Sequence, residues 1–195
     1  MRLRKTLIAV TAFAAIGAVA LTGCSSGSST GASGGSLTVA KPDGAAILST
    51  QTNNPFISTG SGMSLGYDRM IYEPLAMVNP VGKNETTPWL ASKVGWNSDY
   101  TQLTVTPRAD VKWSDGKPFT ADDIVFTYNL IKSTPALDLA GLKLADVKKD
   151  GANVVLSFTE SKFVKQGDVL QVSIVPEHQW KSIADPTKDP VKEAV

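Results

Sequence analysis

Cysteine occurs once in the 195 residues, at Cys24, so no disulfide can form within the chain. Histidine also occurs once, at His178. That leaves no second imidazole and no cysteine cluster or paired carboxylates at ligand spacing beside it, so His178 makes a poor metal site and reads as a structural or surface residue. A phosphate-cradling Lys loop and His-Glu-x-x-His are both missing. Nothing in the local pattern therefore points to an enzyme or calls for a cofactor. An excess of one charge is missing too: 19 Lys and Arg stand against 18 Asp and Glu, for a formal charge of +1. With no basic stripe, nucleic acid is not an expected partner.

One long apolar run is present, at the N-terminus, and no second one follows it. Arg2, Arg4 and Lys5 precede Leu7 to Leu21, which is rich in Ala and short for a stable membrane span. It opens directly into small and polar residues, the pattern of an export signal. Leu21-Thr22-Gly23-Cys24 resembles the bacterial lipobox. The resemblance implies that residues 1–23 are a lipoprotein signal peptide and that Cys24 becomes the diacylated first residue of the mature chain. Two acyl chains hold a protein to a bilayer far better than one. The expected location is the extracytoplasmic face of the cell membrane, or the periplasm, with the diacylglyceryl-cysteine as anchor. Ser25 to Ser36 holds only Ser, Gly, Thr and Ala, so residues 24–36 read as a flexible tether. Loss of Arg2, Arg4 and Lys5 lowers the formal charge by three, to −2. Roughly 160 residues follow the tether, enough for one core of modest size.

The densest local signal lies at Trp113-Ser114-Asp115-Gly116-Lys117-Pro118-Phe119-Thr120-Ala121-Asp122-Asp123-Ile124-Val125-Phe126. Asp115-Gly116 predicts a turn, because Gly accepts positive φ and Asp bonds its own backbone two residues on. Thr120 and Asp123 predict a capping box, and Phe119 with Ile124 a hydrophobic staple. Asp122 and Asp123 suit the positive end of the helix dipole. Ile124, Tyr128 and Ile131 then recur at helical spacing until Ser133-Thr134-Pro135 ends the run.

This stretch resembles the DGxPxTAxDVxF segment of the family 5 extracellular solute-binding proteins, the receptors of peptide, nickel and oligosaccharide ABC importers. Ile124 stands for the usual Val, and Trp113-Ser114 for Phe-His. Ile71-Tyr72-Glu73-Pro74-Leu75 is similar to the family's YEPL element, Pro88-Trp89-Leu90-Ala91 to P-x-LA, and Ile174 to Trp180 to I-x-P-x-H-x-W. Arg108 and Lys112 match the basic positions of LR-x-G-V-K-F, whereas Asp110 replaces its Gly. The resemblance implies an α/β, type II periplasmic-binding-protein-like two-lobed fold of cluster C. Residues 37–195 would be the N-terminal part of lobe one, including most of its small insert subdomain, with the remaining strands and the second lobe on further chain.

Other segments read as follows. Ser36 to Ala40 alternates as an opening strand. Pro55 holds Asn54 extended, and in the family this Asn-Pro loop lies near the interlobe cleft. Asn54 and Phe56 are thus candidates for the near wall of the ligand site, with Phe56 plugging the lobe's own core as the alternative. Met63, Gly66, Tyr67, Met70 and Ile71 follow helical spacing with an apolar face turned to the core. In that region Tyr72 is the third ligand candidate, and its hydroxyl needs a partner if buried. Lys93 to Trp96 and Gln102 to Thr106 flank Asn97-Ser98-Asp99 as a hairpin, as do Val147 to Asp150 and Val154 to Phe158 around Asp150-Gly151. Leu137 to Leu144 reads as a loop or short helix, and Gly167 to Val172 as either helix or extended chain.

The function the resemblance implies is a binding lipoprotein that captures oligopeptides or dipeptides and delivers them to the membrane subunits of an ABC permease. An oligosaccharide receptor of the same family is the alternative. A lipid-anchored structural or adhesion module is the reading from another class.

Overall fold

The computed structural model describes residues 53–57, 68–81 and 85–187. The predicted signal peptide with Cys24, the predicted tether and opening strand, and residues 63–67 of the predicted helix lie outside them. So does the chain from 188 onward. In chain order the elements are helix α1 (Asp68–Ile71), strands β1 (Ala76–Asn79), β2 (Glu85–Pro88), β3 (Ala91–Trp96) and β4 (Gln102–Pro107), and helix α2 (Ala121–Ser133). A 3₁₀ turn (Pro135–Leu137), β5 (Leu144–Asp150), β6 (Asn153–Phe158), α3 (Gln166–Leu170) and α4 (Glu177–Trp180) follow.

β3, β4, β6 and β5 form an antiparallel sheet in that order. The sequence hairpins fix two of its three pairings, and β4 pairs with β6 in the middle. Opposed residues Val105 and Val154, and Leu103 and Leu156, place four aliphatic side chains on one face. All four are fully buried and share a core cluster with Val147, Phe158 and, from α2, Ile124 and Tyr128. Each such side chain contributes about 1.5–3 kcal/mol on burial. A shift of one residue in register would turn the set to solvent, which pins the pairing. β1 and β2 make a separate antiparallel pair with Ala76 opposite Pro88. All four β2 side chains are exposed, so that strand carries no alternation by which to recognise it.

α2 begins as its sequence predicts. Thr120 caps it, the capping box with Asp123 is complete, and Phe119 and Ile124 are buried in one cluster. The Thr120 N–H donates to Asp123 Oδ2 at 2.8 Å. In the preceding turn Gly116 has φ +85, and the Lys117 N–H donates to Asp115 Oδ1 at 3.0 Å. Asp110 has φ +62. The residue that departs from the family's Gly therefore keeps the left-handed backbone that a Gly would adopt freely.

One reading changes and one open choice is decided. Met70, predicted on the inward face of the first helix, is 69 % exposed. The ambiguous segment after Gly167 is helical over Gln166–Leu170, with Val169 and Leu170 buried.

Candidate functional site

The segment after α3 is fastened at five of its residues. Ser173 bridges Pro74 in antiparallel fashion, and the Ile174 N–H donates to the Glu73 carbonyl at 3.0 Å. The Val175 N–H donates to Thr127 Oγ1 at 3.1 Å, and the Glu177 N–H to Asp123 Oδ1 at 2.9 Å. His178 Nε2 lies 2.8 Å from Asp115 Oδ2. These bonds tie Ser173 to His178 onto the exit of α1, onto α2 and onto the Asp-Gly turn.

Beside this segment lies a cleft of about 250 Å³. Phe56, Ile131, Leu137, Leu142 and Val172 give it an apolar lining, and Arg69, Asp138, Asp168, Gln171 and Ser173 supply polar groups. Arg69 Nη1 donates to Ser173 Oγ at 3.5 Å. The Asp138 carboxylate accepts the N–H groups of Leu142, at 2.6 Å, and Lys143, at 3.1 Å, so its charge is engaged in shaping the 138–143 loop. Gly141, φ +65, completes that loop, and Lys165 Nζ closes over it onto the Ala140 carbonyl at 2.6 Å. A guanidinium, an exposed carboxylate at Asp168, an amide and a hydroxyl over an apolar lining are what a small amphipathic or zwitterionic molecule requires.

Asn54, Phe56 and Tyr72 are all buried, at 1 %, 5 % and 1 % exposure. Asn54 Oδ1 accepts the Phe56 N–H at 2.9 Å while Nδ2 donates to the Pro186 carbonyl at 2.7 Å. That turn sets Phe56 into a second core cluster with Tyr72, Ile131, Leu137, Val175 and Trp180, and Phe56 also lines the cleft. Phe56 and Tyr72 both meet Trp180 edge to face, at 5.5 and 6.1 Å between ring centroids. The Tyr72 hydroxyl and the Trp180 indole N–H are buried with no hydrogen-bond partner among the described residues. Burial pushes Tyr72 up to about 12, offset in part by the neighbouring indole. Tyr72 does not line the cleft.

The local pattern does not single out Arg69, Asp168, Gln171 or Ser173. The available signal is Ser173 alone, a small polar residue inside the apolar run Val172 to Val175. Among the described residues no group of three or more His, Cys, Asp or Glu could hold a metal ion, and no helix is long and apolar enough to cross a membrane.

Comparison with known proteins gives a consistent family. Residues 85–194 match the model of bacterial extracellular solute-binding proteins, family 5 Middle. A probable peptide-binding protein YejA of Agrobacterium fabrum is 29 % identical over 136 residues, covering 67 % of this chain and 21 % of that protein. A mannohexaose-bound periplasmic oligopeptide-binding protein from Thermotoga maritima superposes with a TM-score of 0.59 at 28 % identity, over 69 % of this chain and 25 % of that one. The oligopeptide-binding protein AppA of Bacillus subtilis, in complex with a nonapeptide, gives 0.56 at 25 % identity, over 67 % and 26 %. The chain thus spans between a fifth and about a quarter of these relatives, and its fold is that of the α/β periplasmic-binding-protein class.

Proposed function

Because the chain belongs to the family 5 bacterial extracellular solute-binding proteins, which are non-catalytic, we propose that it takes part in capturing short peptides for an ABC permease. The observation that carries this reading is the cleft, where Arg69 and Asp168 flank an apolar lining built by Phe56, Ile131 and Leu137. A peptide presents a carboxylate, an ammonium and side chains of mixed polarity. Arg69 suits the first through charge-assisted donors, Asp168 the second, and the lining an aliphatic side chain. In this reading the residues after the tether supply one wall, from lobe one, and a second lobe closes over the ligand by a hinge motion.

Cys24 would carry the diacylglyceryl anchor that keeps the receptor beside its permease, and residues 24–36 the slack for docking. Tethering raises the effective concentration at the permease without any new contact. Asn54 serves the wall indirectly, by turning Phe56 into the cleft lining, and Tyr72 through the packing of Trp180.

An oligosaccharide ligand is the second reading, favoured by the mannohexaose bound to the Thermotoga maritima relative. Sugars stack on presented aromatic faces. Phe56 is the aromatic residue of the lining and is 5 % exposed, which favours peptide. Titration with Ala-Leu-Ala and with mannohexaose, followed by calorimetry, tests the choice. Heat with the peptide alone is expected, and heat with the sugar alone would reverse the assignment.

A further inference from the structure

We infer that Asp123 is a positioning residue for the cleft, although it lies outside the lining. This rests on the reading of the cleft as a binding site. Asp123 is 4 % exposed, and its carboxylate accepts from three separate parts of the chain. Oδ2 takes the Thr120 N–H at 2.8 Å and the Trp113 indole N–H at 3.3 Å. Oδ1 takes the Glu177 N–H at 2.9 Å. The first is the cap of α2, the second holds the Asp-Gly turn, and the third starts α4, 54 residues away in sequence.

The last contact reaches the cleft along two routes. α4 carries Trp180, which packs edge to face on Phe56, and Phe56 lines the cleft. Towards the N-terminus the same segment runs through Val175 back to Ser173, Val172 and Gln171, which line it as well. Thr127 reinforces the fastening one turn along α2: its hydroxyl donates to the Asp123 carbonyl at 2.8 Å and accepts the Val175 N–H. Capping a helix requires one acceptor. A carboxylate with both oxygens engaged by N–H donors on opposite sides does something more, since an amide in its place presents N–H to one of those donors. Of the two sides, the cap is local and re-forms readily, whereas the Glu177 contact closes a long loop. Asp123→Asn therefore releases the Gln171 to Trp180 segment while leaving α2 in place.

Thr120→Ala is the control, because it removes a cap hydroxyl from the same helix and leaves the carboxylate intact. Hydrogen exchange in the full chain is the primary readout. Asp123→Asn is expected to speed exchange at the Ser173 to Glu177 amides about tenfold relative to Thr120→Ala, the effect of losing one charge-assisted hydrogen bond, with β4 and β6 unchanged. Ala-Leu-Ala affinity should fall in Asp123→Asn and hold in Thr120→Ala. Glu177→Pro removes the N–H that Asp123 Oδ1 accepts, at a first helical position that suits Pro, and should reproduce the local exchange pattern, so it decides the matter if Asp123→Asn does not fold. Equal exchange in Asp123→Asn and Thr120→Ala, or protection of Ser173 to Glu177 unchanged from wild type, would overturn the inference. If the wild-type chain does not bind Ala-Leu-Ala, the binding reading falls, and the exchange comparison still decides whether Asp123 holds the segment.

Discussion

Asp110 holds φ +62, where an L side chain crowds its own backbone and Gly does not. Asp110→Gly should stabilise the fold by roughly 1 kcal/mol, read as a higher melting temperature by circular dichroism. A lower one would mean that the Asp side chain supports the turn. Tyr72 bears on stability in a different way. Its hydroxyl is buried with no partner among the described residues, so Tyr72→Phe should be neutral or stabilising by up to about 1 kcal/mol. The same burial gives a pH signature. The unfolded phenol ionises near its ordinary value of 10.0 and the folded one at about 12, so above pH 10 the unfolded state binds fewer protons. Stability is then fully present below pH 10 and falls between 10 and about 12. Tyr128 is raised in the same direction by its burial, so Tyr72→Phe should shallow this alkaline slope without abolishing it. An unchanged slope would contradict the assignment to Tyr72.

α2 and the turn before it form a unit in which local and long-range bonds agree. Thr120→Ala should lower stability by about 1 kcal/mol, the usual value of a cap, measured by urea denaturation. In the turn, the Lys117 N–H chiefly, then His178 and the Lys117 side chain, hold the Asp115 carboxyl down to about 2 from 3.8. Its contribution is present above pH 3.8 and lost as pH falls towards 2. The stability gap between wild type and Asp115→Asn should therefore close over that acid range. A gap independent of pH would rule out the carboxylate as its source. This unit was legible from Asp115 to Ser133 because cap, staple and period are all encoded within about four residues of where they act. The two hairpins of the main sheet were legible for the same reason. The β1–β2 pair was not, since Glu85 to Pro88 is exposed throughout, and neither was the exposure of Met70. The cleft was not legible either. Its lining comes from five separated stretches, 55–56, 69, 131, 137–142 and 168–173, and no local spacing connects them.

The described residues form part of a solute-binding fold that relatives complete with three to four times as much chain. At this scale the cleft is proposed as one wall of a peptide site, held in shape by Asp123. Arg69→Ala should weaken Ala-Leu-Ala about tenfold, the loss of one charge-assisted contact. An unaltered affinity would move the carboxylate elsewhere. The measurement that bears most directly on the central claim is an amide chemical-shift map of the chain titrated with Ala-Leu-Ala. The account predicts progressive shifts confined to Arg69, Leu137 to Leu142 and Asp168 to Ser173, with none on the outer face of the sheet. Shifts clustered at Lys93, Thr104 and Asn153, or no shifts with the peptide and clear ones with mannohexaose, would contradict it.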